Sequence, residues 1–354
     1  MNVIDWCERG LVPDPLARFG MRRLVAQRLA EESRGSDGDR AARHAQFVRE
    51  LRASPIAINT GDANAQHYEV PAEFFRLHLG PRLKYSCCLY EAGEGSQART
   101  LAQAEQAMLE LCAQRAGVAD GQRILDLGCG WGSLSLWLAE QYPGAQIVGL
   151  SNSKGQREFI TARAAERGLR NLTVLTADVA DPSIRDPFGS LLGTGFDRVL
   201  SVEMFEHMRN YEALLAKVAA WLKPGGELFV HVFAHRELAY PFEVRDGSDW
   251  MSRYFFTGGL MPSARLLGEF QESLRLVQQW WVDGTHYERT ANHWLAGMDA
   301  RRDEIMAVFR AGYGPAQAAV WFQRWRMFYM AVAELFGYRQ GAEWGVAHYR
   351  FARP

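Results

Sequence analysis

The chain has 354 residues, 48% of them hydrophobic and 23% charged, with a formal net charge of -1. This is the composition of a globular protein with a sizeable core, and it lacks the basic excess by which nucleic-acid binders meet phosphate. Five cysteines without a CxxC pair argue against a disulfide framework or a metal site and for a reducing, cytoplasmic setting.

Met1 to Gly10 shows no secretory signal, and no apolar run reaches the ~18 residues of a membrane span. A first helix is predicted from Asp14-Pro15, with Asp14 as N-cap and Pro15 at the first helical position. Its apolar residues are Leu16, Phe19, Leu24, Val25 and Leu29, with Arg18, Arg22, Arg23 and Arg28 around them. Packing on the body or on a partner copy is the expected use, and membrane contact through this basic helix is the alternative. Ser33 to Asp39 reads as a connector. Helices are predicted over 40–53, after Pro71, and over 98–116.

From there, short apolar runs alternate with helical stretches. Strands are predicted at 123–127, 146–150, 172–176, 196–202 and 227–233, with helices at 132–141, 155–167 and 210–222. This alternation implies an α/β fold with a doubly wound, mostly parallel sheet. A helix near 263–271, a strand at 274–282, two helices within 287–336 and a last strand at 344–351 complete the chain. The two late helices are rich in Trp, Phe and Met, as a cover over something apolar would be.

The loop Asp126-Leu127-Gly128-Cys129-Gly130-Trp131-Gly132 follows the first strand and enters a helix. Gly128, Gly130 and Gly132 let the backbone turn tightly beside a ligand. Dinucleotide sites use GxGxxG and an acid some 20 residues on, which holds the ribose. Here the spacing is GxGxG, and the later region, Leu150 to Gln156, carries no acid. Asn152 or Gln156 would then bind ribose hydroxyls, and Asp178, after the third strand, would accept the adenine amino group beside the Val179 amide. Asp126 suits the ammonium of an amino-acid tail. The ligand expected is S-adenosylmethionine (SAM), with S-adenosylhomocysteine (SAH) as product. Asp178 has a plainer use as a loop cap.

After the fourth strand comes Ser201-Val202-Glu203-Met204-Phe205-Glu206-His207-Met208. A helix or turn starting here brings Glu203 beside Glu206 and His207, three and four residues ahead. An amine nucleophile must first lose a proton, which costs roughly 4–5 kcal/mol at pH 7 for a lysine-like pKa. A histidine can take that proton, one carboxylate can orient it and the other can hold the incoming ammonium.

The loop 126–132, the stretch 201–208, Leu83-Lys84-Tyr85-Ser86 and Ala333 to Tyr338 together resemble the coclaurine N-methyltransferase family, within the cyclopropane fatty acid synthase-like group. So do Asp249-Trp250, Tyr254-Phe255-Phe256, Met261 to Ala264, Glu343-Trp344 and His348. The resemblance spans about 65–352. It implies a Rossmann-like class I methyltransferase that N-methylates a small cyclic amine such as a tetrahydroisoquinoline. By position it makes Glu206 and His207 an acid–base pair with Glu203 as the nearby carboxylate. It places Tyr85 and Ser86 at the cofactor, and Tyr85, Trp325 and Phe328 in an aromatic substrate pocket, where cation–π contact suits an amine. The expected organisation is an N-terminal helical extension (1–70), a SAM-binding core (71–283), a helical pocket cover (284–340) and a last strand returning to the sheet (341–354). A homodimer is compatible with it.

The alternative within the same group is modification of unsaturated phospholipid acyl chains, in enzymes that use a bound bicarbonate as base. Cys129, His231 and Tyr287 fit that reading. Glu203 in place of an expected glycine, and a last helix Met330 to Phe336 without cysteine, count against it.

Overall fold

The computed structural model describes residues 3–58, 70–90, 99–181, 188–189, 194–245, 247 and 249–354. Three helices open the chain: α1 (Val3–Glu8), α2 (Asp14–Glu32) and α3 (Asp37–Ala53). Pro13 rather than Asp14 is the N-cap of α2, so Pro15 falls one place further into a first turn whose N–H groups have no helical partner. The expected connector is shorter than its composition suggested. Ser36 and Asp39 exchange side-chain and backbone hydrogen bonds in a capping box and start α3 at Asp37. The helix α4 (Ala72–His78) follows Pro71, and α5 (Leu101–Ala116) starts from a second capping box between Thr100 and Gln103. Residue 98, the expected start of α5, lies outside the described residues.

The core alternates as expected: β1 (Arg123–Leu127), α6 (Ser133–Gln141), β2 (Gln146–Ser151), α7 (Lys154–Glu166), β3 (Leu172–Thr176), β4 (Phe196–Val202), α8 (Tyr211–Trp221) and β5 (Leu222–His235). The two-residue strands β6 (Tyr240–Pro241) and β7 (Leu260–Met261) pair with each other, with α9 (Trp250–Tyr254) between them in sequence. Then come β8 (Arg275–Val282), α10 (Gly284–Ala300), α11 (Arg302–Tyr313), α12 (Pro315–Phe336) and β9 (Trp344–Ala352). The main sheet has the order β3-β2-β1-β4-β5-β9-β8, with β9 antiparallel to both neighbours. Strand order reverses between β1 and β4, and the crevice at the carboxyl ends of such a pair is the ligand site of doubly wound sheets. The loops leaving that point are 128–132 and 203–207.

Two expected elements differ. The segment 263–271 forms only a 3-10 turn, Leu266–Glu269, because Ala264 is tied to strand β5 through its N–H to the His235 carbonyl (2.8 Å). The late region holds three helices, not two. Gly314 adopts φ 81° and is followed by Pro315, which disfavours helix at the residue before it, so α11 ends and α12 starts afresh.

The N-terminal helices belong to the body. Cys7 and Ala17 are part of the main apolar cluster, with Met21, Val25 and Leu29 against it. Ion pairs fasten α1 and α2 to α12: Glu8 to Arg324 (3.0 Å), Asp14 to Arg326 (2.6 Å), and Glu334 to Arg18 (2.9 Å) and Arg22 (2.7 Å). Of the expected apolar stripe of α2, Val25 and Leu29 face the body and the other three do not. Leu16, Phe19 and Leu24 are 63%, 53% and 43% exposed.

Candidate active site

Two hollows meet at the carboxyl edge of β1 and β4. The smaller is bounded by Gly128, Gly130, Leu150 to Asn152, Gln156 and Ala177 to Val179. Gly128 has φ 83°, and a Cβ there would lie 2.8 Å from Met204 Cγ, so only glycine fits. Gly132 (φ 81°) caps α6, and a Cβ would meet Ile160 at 2.7 Å. The Gln156 side chain is buried. Its Oε1 accepts from Ser151 Oγ at 2.6 Å, while its Nε2 has no partner among the described residues. Asp178 lies at this rim and also accepts the Ala180 N–H at 2.8 Å, so it caps its own loop. Buried polar atoms without protein partners recur beside the glycine loop, at Trp131 Nε1 and Ser133 Oγ. A polar ligand such as SAM fits this set of donors and acceptors.

The larger hollow is a cavity of about 1020 Å³. Tyr85, Phe242, Trp250, Phe256, Trp294 and Phe328 give it aromatic walls, and α1 and α2 close another side with Cys7, Ala17 and Met21. Ser86 and Asp126 also face it. Asp126 is buried and accepts from Ser135 Oγ at 2.5 Å; burial raises its pKa to about 6 against that bond. Trp325 is not on this wall. It is fully buried behind it, with ring centroids 4.8 Å from Phe74, 5.1 Å from Phe255 and 5.8 Å from Phe328.

Gly128, Gly130, Glu203 and His207 line both hollows. Glu203 takes φ 48°, a left-handed conformation that costs a non-glycine residue about 1–2 kcal/mol. Its N–H still reaches the His231 carbonyl (2.8 Å), so the strand ends in a sharp turn that fixes the side chain. Three groups donate to the carboxylate. The Cys87 N–H (2.9 Å) and His231 Nε2 (3.2 Å) reach Oε1, and the Tyr287 hydroxyl reaches Oε2 at 2.6 Å. Burial pushes the Glu203 pKa up, against the Lys84 ammonium, the Cys87 N–H and the Tyr287 hydroxyl, which act the other way. Glu206 lies in the 3-10 turn Phe205–His207, is buried, and has no partner at Oε2 among the described residues. Burial first, and the Glu203 charge second, push its pKa well above the usual carboxylate range. Of the two, Glu206 is pushed further toward its protonated form, and the donors on Glu203 favour its charged form. His207 is half-buried and lies parallel to Phe256, centroids 6.0 Å apart.

The structure thus brings Glu203, Glu206 and His207 to one wall, as their spacing implied, and adds what that spacing could not contain. The donors to Glu203 come from 84 to 116 residues away for Tyr287 and Cys87, and from β5 for His231. In the sequence His231 and Tyr287 stood out only as compatible with lipid chemistry. The contribution of α1 and α2 had no local signal.

The family described as mycolic acid cyclopropane synthetase matches residues 58–340. Among curated proteins, an (S)-coclaurine N-methyltransferase of Thalictrum flavum subsp. glaucum is 36% identical over 100% of this chain and 96% of its own length. A cyclopropane-fatty-acyl-phospholipid synthase of Escherichia coli (strain K12) is 30% identical over 68% of this chain and 57% of its own. Among solved structures, a coclaurine N-methyltransferase bound to N-methylheliamine and SAH superposes with a TM-score of 0.91 at 35% identity, covering 99% of this chain and 98% of that one.

Proposed function

This chain belongs to the coclaurine N-methyltransferase family, within the mycolic acid cyclopropane synthetase group, and is a SAM-dependent N-methyltransferase; from that premise we propose that it methylates a cyclic amine carried on an aromatic scaffold, of the tetrahydroisoquinoline type. The observation that carries this reading is the position of Glu203. Its carboxyl group stands where an aromatic cavity and the glycine-loop crevice share a wall, with three hydrogen-bond donors on it.

Gly128 and Gly130 would admit the cofactor, with Asn152 and Gln156 at its ribose, Asp178 and Val179 at its adenine, and Tyr85, Ser86 and Asp126 at its amino-acid end. SAM supplies, when bound, a methyl group on a sulfonium. The remaining work falls to this chain. Glu203 draws in the substrate ammonium, and the rings of Tyr85 and Phe328 add cation–π attraction. His207, half-buried and touching both hollows, takes the ammonium proton and passes it toward solvent. Glu206, held toward its neutral form, adds no second charge beside Glu203. The cavity walls keep the nitrogen on the line toward the crevice, and positioning of this kind supplies much of the rate.

The acyl-chain reading loses its footing at the same residue. His231 and Tyr287, which fit a bicarbonate-using relative, are both spent on the Glu203 carboxylate. The test is incubation with SAM and two substrate sets, a panel of tetrahydroisoquinolines and vesicles of unsaturated phospholipid. Mass spectra should show amines heavier by one methyl group. Acyl-chain methylenation with every amine unchanged would overturn the proposal.

A further inference from the structure

Strands β5 and β9 place His231 and His348 directly opposite each other, and β9 and β8 do the same for His348 and Trp280. The two imidazoles are fully buried and touch through His348 Nε2 and His231 Nδ1 at 2.9 Å. From helix α5, Arg115 lays its guanidinium 5.0 Å over the Trp280 ring and brings Nη1 to 2.7 Å from His348 Nδ1. At the other end His231 Nε2 meets Glu203 Oε1. Four side chains therefore form one line from a half-exposed arginine to the carboxylate.

The protons on this line have a single consistent arrangement. Arginine can only donate, so His348 Nδ1 must accept. A neutral imidazole has one N–H, which places the proton of His348 on Nε2 and makes His231 Nδ1 the acceptor. The proton of His231 is then on Nε2, facing Glu203. Charging His231 would set two N–H groups against each other unless His348 moved its proton to Nδ1, against the Arg115 donor. Burial, followed by the nearby cations or the second histidine, also holds both imidazoles far below their usual pKa. Cys112 Sγ lies 3.7 Å from His231 Nδ1, and burial pushes its thiol up to about 11, so Cys112, His231 and His348 meet as neutral groups beside a cation. That suits a hydrogen-bond chain better than a metal site.

We propose that Arg115 and His348 are positioning residues for Glu203: the donor-only guanidinium sets the direction of the Arg115–His348–His231 chain, which holds an N–H on Glu203 Oε1 and keeps that oxygen an acceptor. The groups facing Glu203 from its surroundings are Lys84, Cys87, Cys88, Cys112, Glu206, His231 and Tyr287, and among them His231 is oriented through His348 and Arg115. The inference rests on Glu203 being the working carboxylate.

Two experiments test it. Imidazole nitrogen NMR of the native protein with 15N-histidine needs no substrate. It should show His231 and His348, assigned by single variants, as Nε2–H tautomers that do not titrate between about pH 6 and 8. An Nδ1–H tautomer at His231 overturns the proposal. The second uses methylation of 1,2,3,4-tetrahydroisoquinoline. His348→Leu removes the donor to His231; kcat should fall roughly 10–100-fold and its acid limb should move about one unit upward, with amine KM and SAM affinity within about twofold. His348→Gln can accept from Arg115 and donate to His231, and should recover most of both effects. A His348→Leu enzyme with the native acid limb, or His348→Gln no better than His348→Leu, overturns it. Should His348→Leu fail to fold, Arg115→Ala must shift the limb while Arg115→Lys restores it. Loss of activity in Glu203→Gln beside a native His348→Leu would sink the relay alone, and a fully active Glu203→Gln would sink the reading of Glu203 itself.

Discussion

The two hollows that meet at Glu203 are built in opposite ways. The crevice beside β1 comes mostly from one run of chain, Leu127 to Val179, and its shape rests on backbone: two glycines at positive φ and the ends of three adjacent parallel strands. The larger cavity has no such run. It is closed by α1 and α2, by the segment 83–86, by the end of β4, and by α10 and α12, and its shape rests on side chains. A backbone-shaped site tolerates little change and reads one ligand. A site shaped by side chains from distant segments can be remodelled one wall at a time, which suits the half of the reaction where substrates differ.

The largest expected effect is at the backbone end. Gly128→Val forces a β-branched residue into φ 83° and puts its Cβ 2.8 Å from Met204. The left-handed conformation alone costs about 1–2 kcal/mol, and the overlap adds to it. Titration calorimetry should show SAH affinity lower by roughly 100-fold or more. Binding within about threefold of native would mean that the crevice is not backbone-shaped.

Glu203→Gln attacks the other hollow at the shared wall. It keeps the shape and removes the charge, so kcat should fall about 10²–10⁴-fold while SAH affinity stays within about twofold. Equal loss of both would merge the two hollows into one functional unit. Tyr287→Phe is the milder form of the same cut. A hydrogen bond to a charged group contributes about 1.5–3 kcal/mol, so kcat should drop roughly 10–100-fold. The sign of the pH effect follows from the donor: the hydroxyl favours the carboxylate form, its loss raises the Glu203 pKa, and the acid limb of kcat moves to higher pH. An unmoved limb would show that Tyr287 does not act through Glu203.

The difference in construction also explains what the sequence could say. The glycine loop, the missing ribose acid near Asn152 and the cluster Glu203, Glu206, His207 are each contained within a few residues, so composition and spacing expose them. The core strands were legible for the same reason, being short apolar runs with turn residues between. The donors on the Glu203 carboxyl group are not local. Cys87, His231 and Tyr287 meet only once β5 lies beside β4 and α10 crosses over the sheet edge. Of the stripe expected for α2, Val25 and Leu29 turn inward, whereas Leu16, Phe19 and Leu24 stay exposed and Met21 packs instead; these residues are equally apolar, and only the partner, α12, decides which turn inward. The break between α11 and α12 did have a signal, Gly314-Pro315, inside the stretch 287–336 where two helices rather than three were expected.

Trp325 gives the smallest and most discriminating effect. By resemblance it belongs to the substrate pocket, and by spacing it shares a helix face with Phe328. In the fold Phe328 faces the cavity, while Trp325 stands one layer back, among Phe74, Phe255 and Tyr329. Trp325→Phe should then act as a core truncation. It leaves a void and costs about 1–3 kcal/mol of stability, read as a lower Tm, with amine KM within about twofold. Phe328→Ala at the wall should reverse the pattern, raising amine KM several-fold at a smaller or similar loss of Tm. If Trp325→Phe raises KM as much as Phe328→Ala does, the two rings act as one wall, and the cavity depends on packing depth as well as on the side chains that line it.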